Sequence, residues 1–171
     1  MDPFVVVVSD LLRRPGSRRH ERLEKGLAAL KVTGALVPAG TVAEVDALLD
    51  SIHEGILVTG AVRAAWEGEC RRCLRPVGGE LRARVQELFE RRPTEGDTYP
   101  LEHDRIDLGP LVRDALLLEL PLAPLCAEGC QGMCPTCGAD LNDGTCECRP
   151  AGRDPRWAAL DGLLQDGDAG A

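Results

Sequence analysis

The sequence predicts an α+β fold: an antiparallel β-meander sheet with a packed helix and a C-terminal cysteine-rich zinc module. Three observations carry that expectation. Between residues 32 and 90, apolar and polar side chains alternate in runs separated by turn residues, the period-2 signature of strands with one buried face. From Asp107 to Pro121 the apolar spacing becomes helical. Six of the eight cysteines, Cys126, Cys130, Cys134, Cys137, Cys146 and Cys148, then fall within 23 residues.

Phe4-Val5-Val6-Val7-Val8 is a β-branched run and reads as a buried strand. Ser9-Asp10 stands where a helical turn at Leu11-Leu12 is capped. Arg13 to His20 reads as a basic loop broken by Pro15-Gly16, and Glu21 to Gly26 as a weak helical stub. Val32 to Val37 forms one strand, ending at Pro38-Ala39-Gly40. Val42 to Ile52 suits another, although Leu48-Leu49 breaks strict alternation, and His53-Glu54-Gly55 is the turn after it. Ile56, Val58, Gly60, Val62, Ala64 and Trp66 share one parity and hence one sheet face. After Pro76 the alternation resumes at Leu81, Ala83 and Val85, with Arg82 and Arg84 opposite. Cys70 and Cys73 therefore lie at the tip between two long paired strands.

Residues 1–92 are expected as the β domain, 93–106 as a polar linker, 107–165 as helix plus zinc module and terminal helix, and 166–171 as a disordered tail. In the helix, Asp107 caps, Pro110 fits the first turn, and Leu111, Ala115, Leu117, Leu118 and Leu120 supply the apolar face. Pro121 and Pro124 end it. Asp154-Pro155-Arg156-Trp157 starts the terminal helix, which packs Trp157, Leu160 and Leu163-Leu164.

The 171 residues suffice for one cored domain plus a small module. Aromatic residues make up only 3% of the chain, so the core is aliphatic and base stacking on exposed rings is scarce. The net charge of −8 is uneven: residues 1–92 hold 15 basic and 13 acidic side chains, residues 93–171 hold 5 and 15. An acidic chain is a poor non-specific nucleic-acid binder, because phosphate binding depends on cationic neutralisation. Any RNA contact is expected to be local and N-terminal. The sequence shows neither a basic n-region nor an apolar span of membrane length, so the expected setting is cytoplasmic and reducing. Clustered cysteines there read as metal ligands before disulfides.

Cys134-Pro135-Thr136-Cys137-Gly138 has the outline of a zinc knuckle, and Cys70-x2-Cys73 is a second C-x2-C. Eight thiols suit one or two Zn²⁺ ions. One split joins Cys134, Cys137, Cys146 and Cys148, leaving Cys70, Cys73, Cys126 and Cys130 for a second site. The competing split joins Cys70 and Cys73 to Cys134 and Cys137 as a two-knuckle ribbon. An iron–sulfur cluster is the rival to zinc, but the run C-x3-C-x3-C-x2-C-x8-C-x-C departs from ferredoxin spacings. A closed four-thiolate site has no open position for a substrate water. Arg71, Arg72 and Arg75 crowd the first knuckle and are the expected RNA or partner contacts, with Arg63, Arg82 and Arg84 along its strands and Arg13, Arg14, Arg18 and Arg19 in the basic loop. His20, His53 and His103 have no obvious partner acid, and the chain lacks the phosphate-binding loops and the serine and metalloprotease motifs. No catalytic residue or small-molecule substrate is indicated.

The segments Glu69-Cys-Arg-Arg-Cys-Leu-Arg-Pro, Ile-Asp-Leu-Gly-Pro-Leu-Val-Arg-Asp-Ala-Leu-Leu-Leu-Glu-Leu-Pro-Leu-Ala-Pro-Leu-Cys, Cys-Gln-Gly-Met-Cys-Pro-Thr-Cys-Gly-Ala-Asp-Leu-Asn and Asp154-Pro-Arg-Trp occur in an order that resembles the YceD family of bacterial and plastid proteins. The resemblance is strongest from 66 to 164. It implies a non-enzymatic ribosome-biogenesis factor supporting accumulation or processing of large-subunit ribosomal RNA. The implied partner is that RNA or a large-subunit ribosomal protein, since the family is often encoded beside a small zinc-ribbon protein of that subunit. Cys70, Cys73, the helix from Asp107 to Pro121 and the C-terminal cysteines carry the resemblance. Two other classes remain open: a protein-only adaptor or chaperone for a basic ribosomal protein, and a metal-transfer or redox protein.

Overall fold

The computed structural model describes residues 4–148 and Arg156. The terminal helix expected over 154–164, Arg156 apart, and the tail 166–171 lie outside the described residues. The chain forms two compact units, one ending at Cys130 and one beginning at Gln131.

The first unit is built on a nine-stranded sheet. Its elements are β1 (Val5–Val7), a single helical turn α1 (Ser9–Leu12), β2 (Arg18–Gly26), β3 (Leu30–Lys31), β4 (Ala35–Val37), β5 (Val42–Ser51), β6 (Gly55–Glu69), β7 (Pro76–Glu90), β8 (Tyr99–Glu102), β9 (Arg105–Asp107) and α2 (Gly109–Glu119). The long hairpin β6–β7 is its spine, paired without interruption from Gly55↔Glu90 to Glu69↔Pro76. The same edge of β6 pairs first with β5 and, nearer the tip, with β4. This change of partner needs a curled strand. Gly60 permits the curl, because a Cβ there would run into the Asp46 carbonyl and lie 2.7 Å from the Ala47 Cα.

Several expectations are corrected. The sheet is mixed: β8 joins β7 in parallel at Phe89↔Tyr99 and Glu90↔Pro100, the other pairings being antiparallel. Residues 93–106 hold β8 and β9 rather than only a linker, and stacking of Tyr99 on Phe89, with ring centroids 5.2 Å apart, secures the parallel join. The end of the basic loop, from Arg18, and the helical stub are strand β2, which pairs with β5 over its full length from Arg18↔Asp50 to Gly26↔Val42. Charge at six of its nine positions hid this strand, and cross-strand ion pairs to Asp50 and Asp46 supply its partners. The expected strand 32–37 turns at Thr33-Gly34, so that β3 and β4 form a small hairpin. On β5 the Leu48-Leu49 pair does not break the alternation: Leu49 is fully buried and Leu48 faces solvent.

Helix α2 packs on β7 and β6 through Leu111, Val112, Leu116 and Leu120. This stripe differs from the expected one, since Leu118 is 87% exposed and Val112 and Leu116 take the core positions. The cap position is held by Leu108 and not by the expected Asp107, which stands one residue earlier and accepts at Oδ1 from the Gly109 N–H at 2.8 Å. Arg19 ties β2 to β1 and α1, donating to the Val7 carbonyl at 2.6 Å and to Asp10 at 2.7 Å. The apolar core of this unit runs from Phe4 to Leu120 and is almost wholly aliphatic, with Phe89 its one fully buried ring among the described residues.

Candidate metal centres

The first centre begins at the tip of the β6–β7 hairpin. Six residues separate Glu69 from Pro76, and the chain closes them as a tight knuckle. The Cys70 N–H donates to Arg75 O at 2.8 Å and the Leu74 N–H to Cys70 O at 2.9 Å. Prolines after α2 then send the chain back past this tip, where the Arg71 N–H donates to Pro124 O at 2.9 Å. That return delivers Cys126 and Cys130. The Sγ atoms of Cys70 and Cys130 lie 3.8 Å apart, and those of Cys73 and Cys126 lie 3.5 Å apart. All four sulfurs fall within 4.8 Å of one another. Cys70, Cys73 and Cys130 are buried and Cys126 is exposed.

The second centre is local. Cys134, Cys137, Cys146 and Cys148 also place their sulfurs within 4.8 Å of one another. The Gly138 N–H donates to Cys134 O at 2.9 Å, the Cys134 N–H to Ala139 O at 2.8 Å, and the Thr136 N–H to the Cys134 sulfur at 3.4 Å. Gly138 has φ 73°, the left-handed conformation that glycine adopts without cost. Leu74 holds the matching place in the first knuckle with φ 61°, and its side chain is 57% exposed. The grouping is therefore the first of the two splits weighed from the sequence; the two-knuckle ribbon is not formed.

The donor sets fit a metal ion. Thiolates bonded to one tetrahedral ion at about 2.3 Å stand about 3.8 Å apart, close to the separations of 3.8 and 3.5 Å in the first centre. All eight cysteines are free thiols, with no disulfide among them.

The electrostatics point the same way. Burial opposes ionisation of Cys70, yet N–H groups of Cys73, Cys126 and Arg72 directed at its sulfur bring it down to about 6. N–H groups of Cys137 and Thr136 bring Cys134 down to about 6. Cys126 is pushed up to about 12 by its hydrogen bonds to Cys130 and Cys73, and Cys148 to about 12 by its bond to Cys137. Each tetrad thus ionises one thiol readily and resists further negative charge. A divalent cation at the centre removes that resistance.

The arginines of the first knuckle differ in their surroundings. Arg72 donates from Nη1 to Cys130 O at 2.9 Å and to Glu128 O at 3.3 Å, so it clamps the Cys126–Cys130 loop to the hairpin tip. Arg71 is exposed. Arg75 is also exposed and engages the fold through its own contacts. Sequence reasoning missed the Arg72 clamp, because its acceptors are carbonyls more than 50 residues away with no side-chain signature. It also missed the partner of His20, whose Nε2 lies 2.5 Å from Asp46 Oδ1 across β2 and β5. That pair is exposed and far in sequence from both centres. His53 sits in the turn between β5 and β6, and His103 in the turn between β8 and β9 with φ 44°. No helix among the described residues is long and apolar enough to cross a membrane.

Comparison with known proteins adds the family. Residues 58–164 match the family described as large ribosomal RNA subunit accumulation protein YceD. An uncharacterized protein of Mycobacterium tuberculosis is 34% identical over 175 residues, which cover 95% of this chain and 82% of that protein. In Arabidopsis thaliana, the chloroplastic large ribosomal RNA subunit accumulation protein YCED homolog 1 is 35% identical over 67 residues, 39% of this chain and 21% of that protein. Its Zea mays counterpart is 40% identical over 53 residues, 30% of this chain and 18% of that protein. No solved structure matches the chain. The matched segment takes in most of the β6–β7 hairpin, α2 and both cysteine tetrads, and the chain belongs to the YceD family.

Proposed function

We propose that this protein is a non-enzymatic ribosome-biogenesis factor that supports accumulation and processing of large-subunit ribosomal RNA in the cytoplasm. The observation that carries the reading is the family match over 58–164, together with the names of the plant relatives. Each tetrad holds one Zn²⁺. Sulfurs within 4.8 Å of one another leave room for a single ion rather than for several irons and bridging sulfides. Four thiolates close the coordination sphere, so the ion shapes the chain and offers no site for a substrate water. Arg71, Arg72 and Arg75 form the contact surface toward ribosomal RNA, with Arg71 its most available member and Arg72 serving both surface and clamp.

Loss of the protein should lower the large-subunit ribosomal RNA relative to the small-subunit RNA, and wild-type protein should restore the ratio. An unchanged ratio in cells lacking the protein would sink the reading. Reversing the charge at Arg71, Arg72 and Arg75 should abolish co-sedimentation with precursor particles.

A second reading is favoured by one observation. Residues 93–171 carry 5 basic and 15 acidic side chains, a composition that suits an adaptor for a basic ribosomal protein. Crosslinking separates the two. Bonds from residues near 72 to RNA bases support the first reading, and bonds only to a basic protein support the second.

A further inference from the structure

The two tetrads are held by different means. In the first, Cys70 is fully buried, Cys73 and Cys130 are 6% and 4% exposed, and Val77 packs against them. Strands β6 and β7 fix two of its ligands, and Arg72 clamps the loop that carries the other two. This centre sits in a unit whose aliphatic core stands independently of it. In the second, Cys137 is exposed, Cys146 and Cys148 are half-buried, and only Cys134 is buried.

The surroundings of the second tetrad are more telling than its exposure. Among the described residues from 131 to 148, Cys134 is the only buried apolar residue, and Met133 is 37% exposed. Its described residues are joined by an isolated bridge, Met133↔Asp140, and by turn hydrogen bonds such as Gln131 N–H to Asn142 Oδ1 at 2.8 Å. A stretch that buries almost no apolar surface cannot offset the entropy of its own ordering. Metal binding then supplies its folding free energy.

We propose that the segment from Gln131 is a metal-conditional module. The ion held by Cys134, Cys137, Cys146 and Cys148 exchanges with its surroundings, and its loss unfolds the described part of this segment. The first tetrad and the sheet persist. The chain thereby carries one permanent centre and one that reports on metal supply. The proposal rests on the metal reading above but not on the ribosomal one.

The test uses full-length protein purified with its metal and exposed to a graded excess of EDTA. Native mass spectrometry follows the ions, and limited proteolysis follows the backbone. The ion of the second tetrad should leave at least about tenfold faster than that of the first, giving a one-ion species, because opening of a stretch whose described residues bury so little apolar surface costs far less than opening of a packed one. In that species proteases should cut between 131 and 148 and spare 70–76. Cys146→Ser should hold one ion and keep the melting transition of the sheet; Cys126→Ser should release the ion of the first tetrad and lower that transition, or fail to fold. Departure of both ions in one phase would overturn the proposal, as would continued protection of 131–148 in the one-ion species. Two ions that leave together reject only this inference, whereas a chain that takes up no metal rejects the metal reading as well.

Discussion

Replacing Arg72 by alanine tests whether the clamp over the first centre contributes to metal binding. The side chain donates to two backbone carbonyls, Cys130 O at 2.9 Å and Glu128 O at 3.3 Å. A hydrogen bond to a charged group contributes about 1.5–3 kcal/mol when well sheltered. Arg72 is exposed and the second bond is long, so about 1–2 kcal/mol for the pair is the reasonable sum after solvent screening. That energy is available only while the Cys126–Cys130 loop is seated on the hairpin tip, which is the geometry that assembles the tetrad. It should therefore appear as a roughly 5- to 30-fold loss of affinity at the first centre. Competition against a chromophoric chelator measures it, in a Cys146→Ser background that leaves only the first centre to titrate. Arg71→Ala in the same background should leave metal affinity unchanged while weakening association with precursor particles. Unchanged affinity in Arg72→Ala, or an equal loss in Arg71→Ala, would refute the assignment of the clamp.

Three other outcomes follow from the same structure. Gly60→Ala should destabilise the sheet by about 1–3 kcal/mol, because the new methyl meets backbone of β5 that has no side chain to move aside; a melting curve should fall by roughly 3–10 °C. Gly138→Ala forces a Cβ into the left-handed region at φ 73° and should cost about 1 kcal/mol, seen as a roughly fivefold weaker second ion with the sheet transition unmoved. Cys70 and Cys134, each held near 6 against an ordinary 9.0, contribute stability that is complete above about pH 9 and lost as pH falls through 6. Bound metal lowers these values further, so acid release of the metal proposed above, followed with a colorimetric chelator, should begin below pH 6; release complete by pH 7 would contradict the thiolate assignment.

The parts of this molecule that were legible in the sequence are those whose signal is local. The β6–β7 hairpin announced itself because Ile56, Val58, Val62 and Ala64 repeat at the strand period and all reach the core. The Cys134–Cys148 tetrad was legible because its ligands are close in sequence and a glycine marks its turn. Strand β2 was hidden because its stability comes from β5, through pairs such as Arg18–Asp50, rather than from its own apolar face. The parallel join of β8 to β7 depends on a ring stack between Phe89 and Tyr99, ten positions apart, which no periodicity reveals. The buried stripe of α2 was misplaced because its leucines are so dense that several stripes fit the spacing; packing against β7 chose Val112 and Leu116 and left Leu118 in solvent.

The exposed Leu118 and Leu74 bear on where the partner proposed above would meet the first unit. Leu74 keeps a left-handed backbone at φ 61° where the second knuckle uses glycine, yet its side chain is 57% exposed and so gains little from the fold in return. Such strain costs about 1 kcal/mol or more and persists where the surroundings over-determine it. Here the surroundings are the Cys70 carbonyl, which holds the Leu74 N–H at 2.9 Å, and the tetrad that fixes Cys70 and Cys73 just ahead of it. The first metal centre thus does more than close the hairpin. It holds an apolar side chain out toward solvent between Arg71 and Arg75, a combination suited to a surface that has both anionic and apolar parts. Leu74→Gly separates the two roles. It relieves the strain but loosens the unfolded chain by a similar amount, so stability should change by less than about 0.5 kcal/mol, and the affinity of the first ion should hold. Association with precursor particles should fall. A variant that keeps its metal and still associates would place the contact elsewhere and leave Leu74 as a feature of the knuckle alone.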